Sequence, residues 1–136
     1  MTRALVIDPA DPAPIWRQIE EGVRRRAASG SLPPGSVVPS VRELAKELRV
    51  NPATVAKAYQ RLADAGVLVV RRGEGTYVAD APPRLPETER RRALHEGAAR
   101  YATLAVSIGA TRERAEEELG AVWASFERGE EKGAGR

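Results

Sequence analysis

Between Pro39 and Ala79 the chain reads PSVRELAKELRVNPATVAKAYQRLADAGVLVVRRGEGTYVA, and the start and stop signals in that stretch leave few folds open. Ser40, with Glu43 three residues on, is a capping-box pattern that starts a helix. Its apolar stripe is Val41, Leu44, Ala45 and Leu48, which leaves Arg42, Lys46 and Arg49 outside. After a turn at Arg49 and Val50, Asn51 reads as the next N-cap and Pro52 as the first helical position. This helix should run to Ala65, with Gly66 as its left-handed stop. Val55, Ala58, Tyr59 and Leu62 share one side of it, so Ala53, Lys57 and Arg61 face away, with Thr54 flanking. The Val-rich runs from Val67 to Arg71 and from Thr76 to Ala79 read as strands joined by Arg72, Gly73, Glu74 and Gly75. Two helices, a tight turn and a hairpin are the layout of a winged helix-turn-helix, whose second helix fits a DNA major groove. The expected fold is mainly α with a small β-hairpin wing.

The flanking segments are simpler. Residues 4 to 8 suggest a short strand, broken by three prolines between Asp8 and Pro14. Ile15, Trp16, Ile19 and Val23 then recur at helical spacing, which predicts a helix over about residues 14 to 29, ended by Gly30. Arg24, Arg25 and Arg26 lie near its carboxyl end, where cations suit the helix dipole. The Gly, Pro and Ser density of SGSLPPGSVVPS predicts a loop. Three prolines in DAPPRLPE, residues 80 to 87, predict a stiff linker. Beyond it Leu94, Ala98, Tyr101, Ala105 and Ile108 repeat at intervals of four and three on a helix ended by Gly109. A last helix, capped by Thr111, carries Ala115, Leu119, Val122 and Phe126 at the same spacing, with Trp123 beside them. Two short amphipathic helices bury too little alone, so a second copy is the expected partner of both stripes. The organisation expected is a winged helix-turn-helix domain over residues 1–80, a linker over 81–87, a two-helix dimerisation segment over 88–128 and a disordered tail over 129–136.

Charge is informative through its distribution. The chain of 136 residues has a net charge of +3; residues 1–80 hold 12 basic and 9 acidic side chains, and residues 81–136 hold 10 of each. The excess therefore lies with the predicted DNA-binding unit. There is no cysteine, which excludes a thiolate metal site, and the single histidine, His95, sits on a helix face beside Arg91, Arg92 and Glu96 with no assembled nucleophile partner. GEG at 73–75 is too short for a phosphate loop and sits in a hairpin. No enzyme activity, metal or cofactor is expected. No stretch approaches the apolar length that spans a bilayer, which leads to the expectation of a cytoplasmic protein without a membrane partner.

From Pro14 to Ala79 the sequence resembles the DNA-binding half of the GntR family of bacterial transcription regulators. The matching pieces are PIWRQI at 14–19, SGSLPPGSVVPSVRELAKEL at 29–48, VNPATVAKAYQRLADAGVL at 50–68 and RRGEGTYV at 71–78. With only about fifty residues and two helices after the wing, the chain resembles the YtrA subfamily, whose members dimerise through such a pair. The resemblance implies a homodimeric regulator, commonly a repressor, on a palindromic double-stranded operator. It assigns Arg42 to a base-reading position, where a guanidinium can pair with guanine. It places Thr54 and Lys57 at DNA-contacting positions and Gly73 where the wing backbone enters a minor groove. Asn51, Lys46, Arg61 and Arg72 complete the expected DNA-binding set. Pro52 and Ala53 stand where some members use arginine and threonine, so contacts by Ala53 would be apolar or made by backbone. Glu74 brings a negative charge to the wing tip, leaving Arg71 and Arg72 to approach the phosphates.

The competing reading is a winged-helix module that binds protein and not DNA, since fold alone does not assign function. Against it, Arg42, Lys46, Arg49, Lys57, Arg61 and Arg72 all avoid the predicted core faces. The residues identify no small-molecule effector. The aromatic side chains Tyr101, Trp123 and Trp16 mark where one would lie, although their helical spacing also reads as core.

Overall fold

A computed structural model of the chain describes residues 5–82 and 84–129. It divides into two units, one running to Pro83 and resuming at Phe126, the other comprising Arg84–Ser125. In the first, α1 (Ile15–Ser29), α2 (Val41–Leu48) and α3 (Pro52–Asp64) accompany strands β1 (Val37–Val38), β2 (Leu68–Arg71) and β3 (Gly75–Val78). In the second, α4 (Glu87–Ser107) is followed by α5 (Arg112–Glu127), whose last two residues are grouped with the first unit. The architecture is the mainly helical, winged one that the capping signals predict.

The helix boundaries follow local chemistry. Ser40 accepts from the Glu43 amide at 3.1 Å while Glu43 Oε1 accepts from the Ser40 amide at 2.8 Å, so two otherwise unpaired donors at the start of α2 are satisfied reciprocally. The backbone bond and then the side-chain bond from Ser40 hold the Glu43 carboxyl below its ordinary pKa. Asn51 Oδ1 caps α3 by accepting from the Ala53 amide at 2.8 Å, and Pro52 occupies the first turn. Gly30 ends α1 with φ 83°, a left-handed conformation that favours glycine. α2 ends differently: Arg49 takes the left-handed conformation, φ 60° and ψ 47°, although it carries a Cβ.

The first unit has one core. Ile19 and Val23 of α1, Leu44 and Ala45 of α2, and Val55, Ala58, Tyr59 and Leu62 of α3 meet Leu5, Leu32, Val38, Leu68 and Val78. Tyr59 is buried and donates to the Pro39 carbonyl at 2.8 Å, tying α3 to the entry of α2. Burial, and then the nearby Glu47 and Glu43 carboxylates, push its phenol pKa well up, so it remains a donor.

Two segments differ from the sequence expectation. Within the predicted loop, Val37 and Val38 form a third strand, antiparallel to β3, giving the order β1-β3-β2 with Val37 opposite Tyr77 and Val38 opposite Thr76. Bonds from the Gly35 amide to Val78 O and from the Val78 amide to Ser36 O extend that pairing. The hairpin's second strand is therefore covered on its outer edge. Conversely, no strand forms over residues 5–8; Ala4 lies outside the described residues. The Asp8 amide donates to Gln18 Oε1, and Gln18 Nε2 donates to the Asp8 and Ala13 carbonyls, so a side chain of α1 replaces a sheet partner. The tail expected over 129–136 lies outside the described residues beyond Gly129.

Candidate nucleic-acid interface

The residues expected to meet DNA all belong to the first unit, and their surroundings differ. Arg42 is exposed on α2, and its guanidinium has no hydrogen bond or ion pair among the described residues. Its neighbour Glu43 is engaged with Ser40 through the capping box, so the guanidinium is not consumed locally. Lys46 is exposed one turn on. At the start of α3, Ala53 is exposed and Thr54 half-buried, while the Asn51 side-chain carbonyl is occupied as a cap.

Lys57 and Arg61, one turn apart on α3, are brought together over a residue of α1. The Lys57 ammonium lies 4.5 Å and the Arg61 guanidinium carbon 4.8 Å from the centroid of the Trp16 ring. Arg17 reaches the same ring at 5.6 Å. These separations permit cation–π attraction, which holds a flexible cation in place against the ring's electron-rich face. Arg61 also donates from Nε to Glu20 Oε1 at 2.7 Å, and Arg24 approaches Glu20 Oε2 at 3.4 Å. Glu20 is buried, so its charge requires these partners. Arg61 is consequently bound into the α1–α3 contact as well as standing on the surface. Sequence reading left out the Trp16 assembly and Glu20. The signal available was Lys57 and Arg61 at i and i+4 on one flank of a helix, but nothing local indicates that Trp16 and Glu20, some forty positions earlier, would lie under them.

In the wing, Arg72 and Glu74 are exposed and the Glu74 amide donates to Arg71 O at 2.9 Å. Gly73 is the third residue of that turn with φ 79°, where a side chain would be strained. The Arg71 guanidinium stacks on Tyr77 at 4.4 Å across the hairpin.

The second unit has its own surface. Tyr101 donates to the Ala115 carbonyl at 2.8 Å and joins α4 to α5. Ala105 is buried, Tyr101 and Val122 are half-buried, and Ala98 is exposed, whereas the half-buried Phe126 is grouped with the first unit. Leu94, Leu104, Val106, Ile108, Leu119 and Trp123 are all at least half exposed. Between the two helices runs an apolar groove of about 600 Å³ lined by Leu94, Ala98, Tyr101, Ala105, Leu119 and Trp123 among others.

Residues 16–78 match the family model for bacterial regulatory proteins of the gntR family. The chain is 34% identical to the solved structure of YtrA from Sulfolobus acidocaldarius, a GntR-family transcription factor, covering 71% of this chain and 99% of that one with a TM-score of 0.57. This chain belongs to the GntR family. It is also 42% identical over 74 residues to the HTH-type transcriptional repressor YtrA of Bacillus subtilis (strain 168), 54% of this chain and 57% of the relative. The chain thus matches little more than half the length of that curated relative. The DNA-binding domain of AraR, solved in complex with operator ORX1, is 28% identical, covering 57% of this chain and 95% of that one with a TM-score of 0.50. The relatives of this GntR chain are transcription regulators. No helix among the described residues is long and apolar enough to cross a membrane.

Proposed function

We propose that this GntR-family protein is a sequence-specific DNA-binding transcription regulator, a homodimeric repressor of a palindromic operator, acting in the cytoplasm without catalysis of its own. The observation that carries the reading is the likeness of 57% of the chain to a domain solved on operator DNA. The exposed, unpaired Arg42 at the start of α2 supports it. In this reading α3 enters a major groove, Arg42 reads guanine, and Lys46, Thr54 and Lys57 contact bases or backbone. Asn51 and Ala53 bring the start of α3 close to the groove, and Arg72 and Gly73 carry the wing along the minor groove.

Dimerisation would run through the second unit. Six large apolar side chains stand exposed on α4, its end and α5 beside an apolar groove, a density of apolar surface that monomers rarely present to water. A second copy supplies the same surface, and two-fold pairing places two reading helices on a symmetric operator. Residues 1–80 would then be the DNA-binding domain, 81–87 the linker and 88–128 the dimerisation segment.

The test is fluorescence anisotropy with duplexes tiled across the DNA upstream of the gene, the tightest-binding one serving as the cognate site and its scrambled version as control. Arg42→Ala should cost about 1 to 3 kcal/mol on the cognate site and much less on the scrambled one. Equal losses on both would reduce Arg42 to a phosphate contact. Binding to none of these duplexes at any salt concentration would favour the protein-interaction reading instead.

A further inference from the structure

The Trp16 assembly is more than a brace between two helices. Three cations, Arg17, Lys57 and Arg61, lie within 5.6 Å of the centroid of one indole ring. Only Arg61 has a carboxylate partner, Glu20, which it shares with Arg24. Among the described residues Arg17 and Lys57 have none, and the ring is the only side-chain partner of either. Like charges gathered around one plate repel, and an indole face attracts each of them without neutralising any. No carboxylate among the described residues forms an ion pair with Arg17 or Lys57; the one acid engaged at this cluster, Glu20, pairs with Arg61 and Arg24.

The backbone favours the same sign of ligand. Trp16 and Arg17 are in the first turn of α1, a helix of 15 residues that has no acidic residue in that turn and no side-chain cap on its amino terminus. Its first amides therefore contribute unneutralised positive character beside the cation pair.

From these observations we infer that Arg17 and Lys57, held on the Trp16 ring beside the open start of α1, form a seat for the DNA backbone phosphates that flank the groove entered by α3. The inference rests on the DNA-binding reading above and adds α1 to the interface. Trp16 acts as a positioning residue: it restricts two long, flexible cations before DNA arrives, so less side-chain freedom is lost on binding. Arg61 has a different part, since its charge is committed to Glu20.

A phosphate seat is blind to sequence, so the probe is a fluorescein-labelled duplex of scrambled sequence titrated against the full chain over a range of salt. Arg17→Ala and Lys57→Ala should each lower the slope of log affinity against log salt by about 0.9, the value for one lost phosphate contact. Arg17 is exposed and outside the core, so its replacement leaves the fold intact. Trp16→Leu keeps both charges and removes the plate; it should weaken binding with the slope nearly retained, and Trp16→Phe should recover most of the loss. Thermal melts of the Trp16 variants separate lost packing from lost positioning. If the wild-type chain binds with a steep salt dependence but Arg17→Ala matches it in affinity and slope, the seat is wrong and DNA binding stands. If the wild-type chain binds no duplex, both readings fall together.

Discussion

Arg49 is the one residue other than glycine with positive φ among the described residues. Its amide and that of Val50 satisfy carbonyls at the end of α2, the Val50 amide reaching Ala45 O at 3.0 Å, so the left-handed turn is set by helix termination. The Cβ makes that conformation costly by about 1 to 2 kcal/mol, offset in part by the greater freedom of an unfolded glycine. Arg49→Gly should accordingly raise stability by about 0.5 to 1 kcal/mol, read as a shift in denaturant midpoint; a lower midpoint would show that the arginine side chain contributes packing that offsets its strain. At the wing tip, exposed Glu74 faces the opposite problem. In the proposed complex it approaches phosphates, so Glu74→Gln should tighten binding mildly on every sequence. A weaker complex would mean that the acid reads a base or orders Arg72. Arg61→Ala tests the division of labour around Trp16. With Glu20 buried and keeping only the longer contact to Arg24, the variant should lose roughly 1 kcal/mol of stability, a value discounted because Arg61 is half exposed.

Among the elements, α2 depends most on its cap, since eight residues give it few internal hydrogen bonds. Ser40→Ala should destabilise the first unit by about 1 kcal/mol. The reciprocal half of the box is pH-dependent. Because its bonds to Ser40 hold the Glu43 carboxyl below the ordinary carboxylate range in the folded chain, its contribution is complete above that range. It is lost as pH falls through the lower folded value. Denaturation followed through this window should show a wild-type decline from Glu43 that Glu43→Gln lacks; identical acid profiles would show that the box does not act. Cap signals of this kind are why α1, α2 and α3 were legible in the sequence: Ser40 with Glu43, Asn51 with Pro52, and Gly30 each act within one turn of where they stand. β1 was not legible, because two valines in a Pro- and Gly-rich stretch become a strand only when Tyr77 and Thr76 arrive beside them. The same holds in reverse for residues 5–8, whose short apolar run suggests a strand until Gln18 takes the backbone groups of Asp8.

For the whole molecule, the proposed dimer makes the two units interdependent in function. Each first unit would contact one half-site, and the apolar faces of α4 and α5 would hold the pair. Replacing Val106 and Trp123, both largely exposed, by aspartate should leave a folded chain that light scattering shows as a monomer. Its operator binding should fall toward that of a half-site. A double variant that stays dimeric would place the interface elsewhere. Sequence alone determined the positions of the helices, the hairpin and the apolar stripes, because caps, prolines, glycines and residue periodicity act through neighbours along the chain. Tertiary structure decided which surface groups are free and which are engaged. Arg42 and Arg61 look alike in the sequence, yet Arg42 is unpaired and Arg61 is bonded to a glutamate 41 positions away. Trp16 shows the same limit: its helical spacing suggested core, and only the packing of α1 on α3 revealed a ring under three cations. Periodicity specifies the side of a helix that a residue occupies, whereas its partner depends on how distant segments pack.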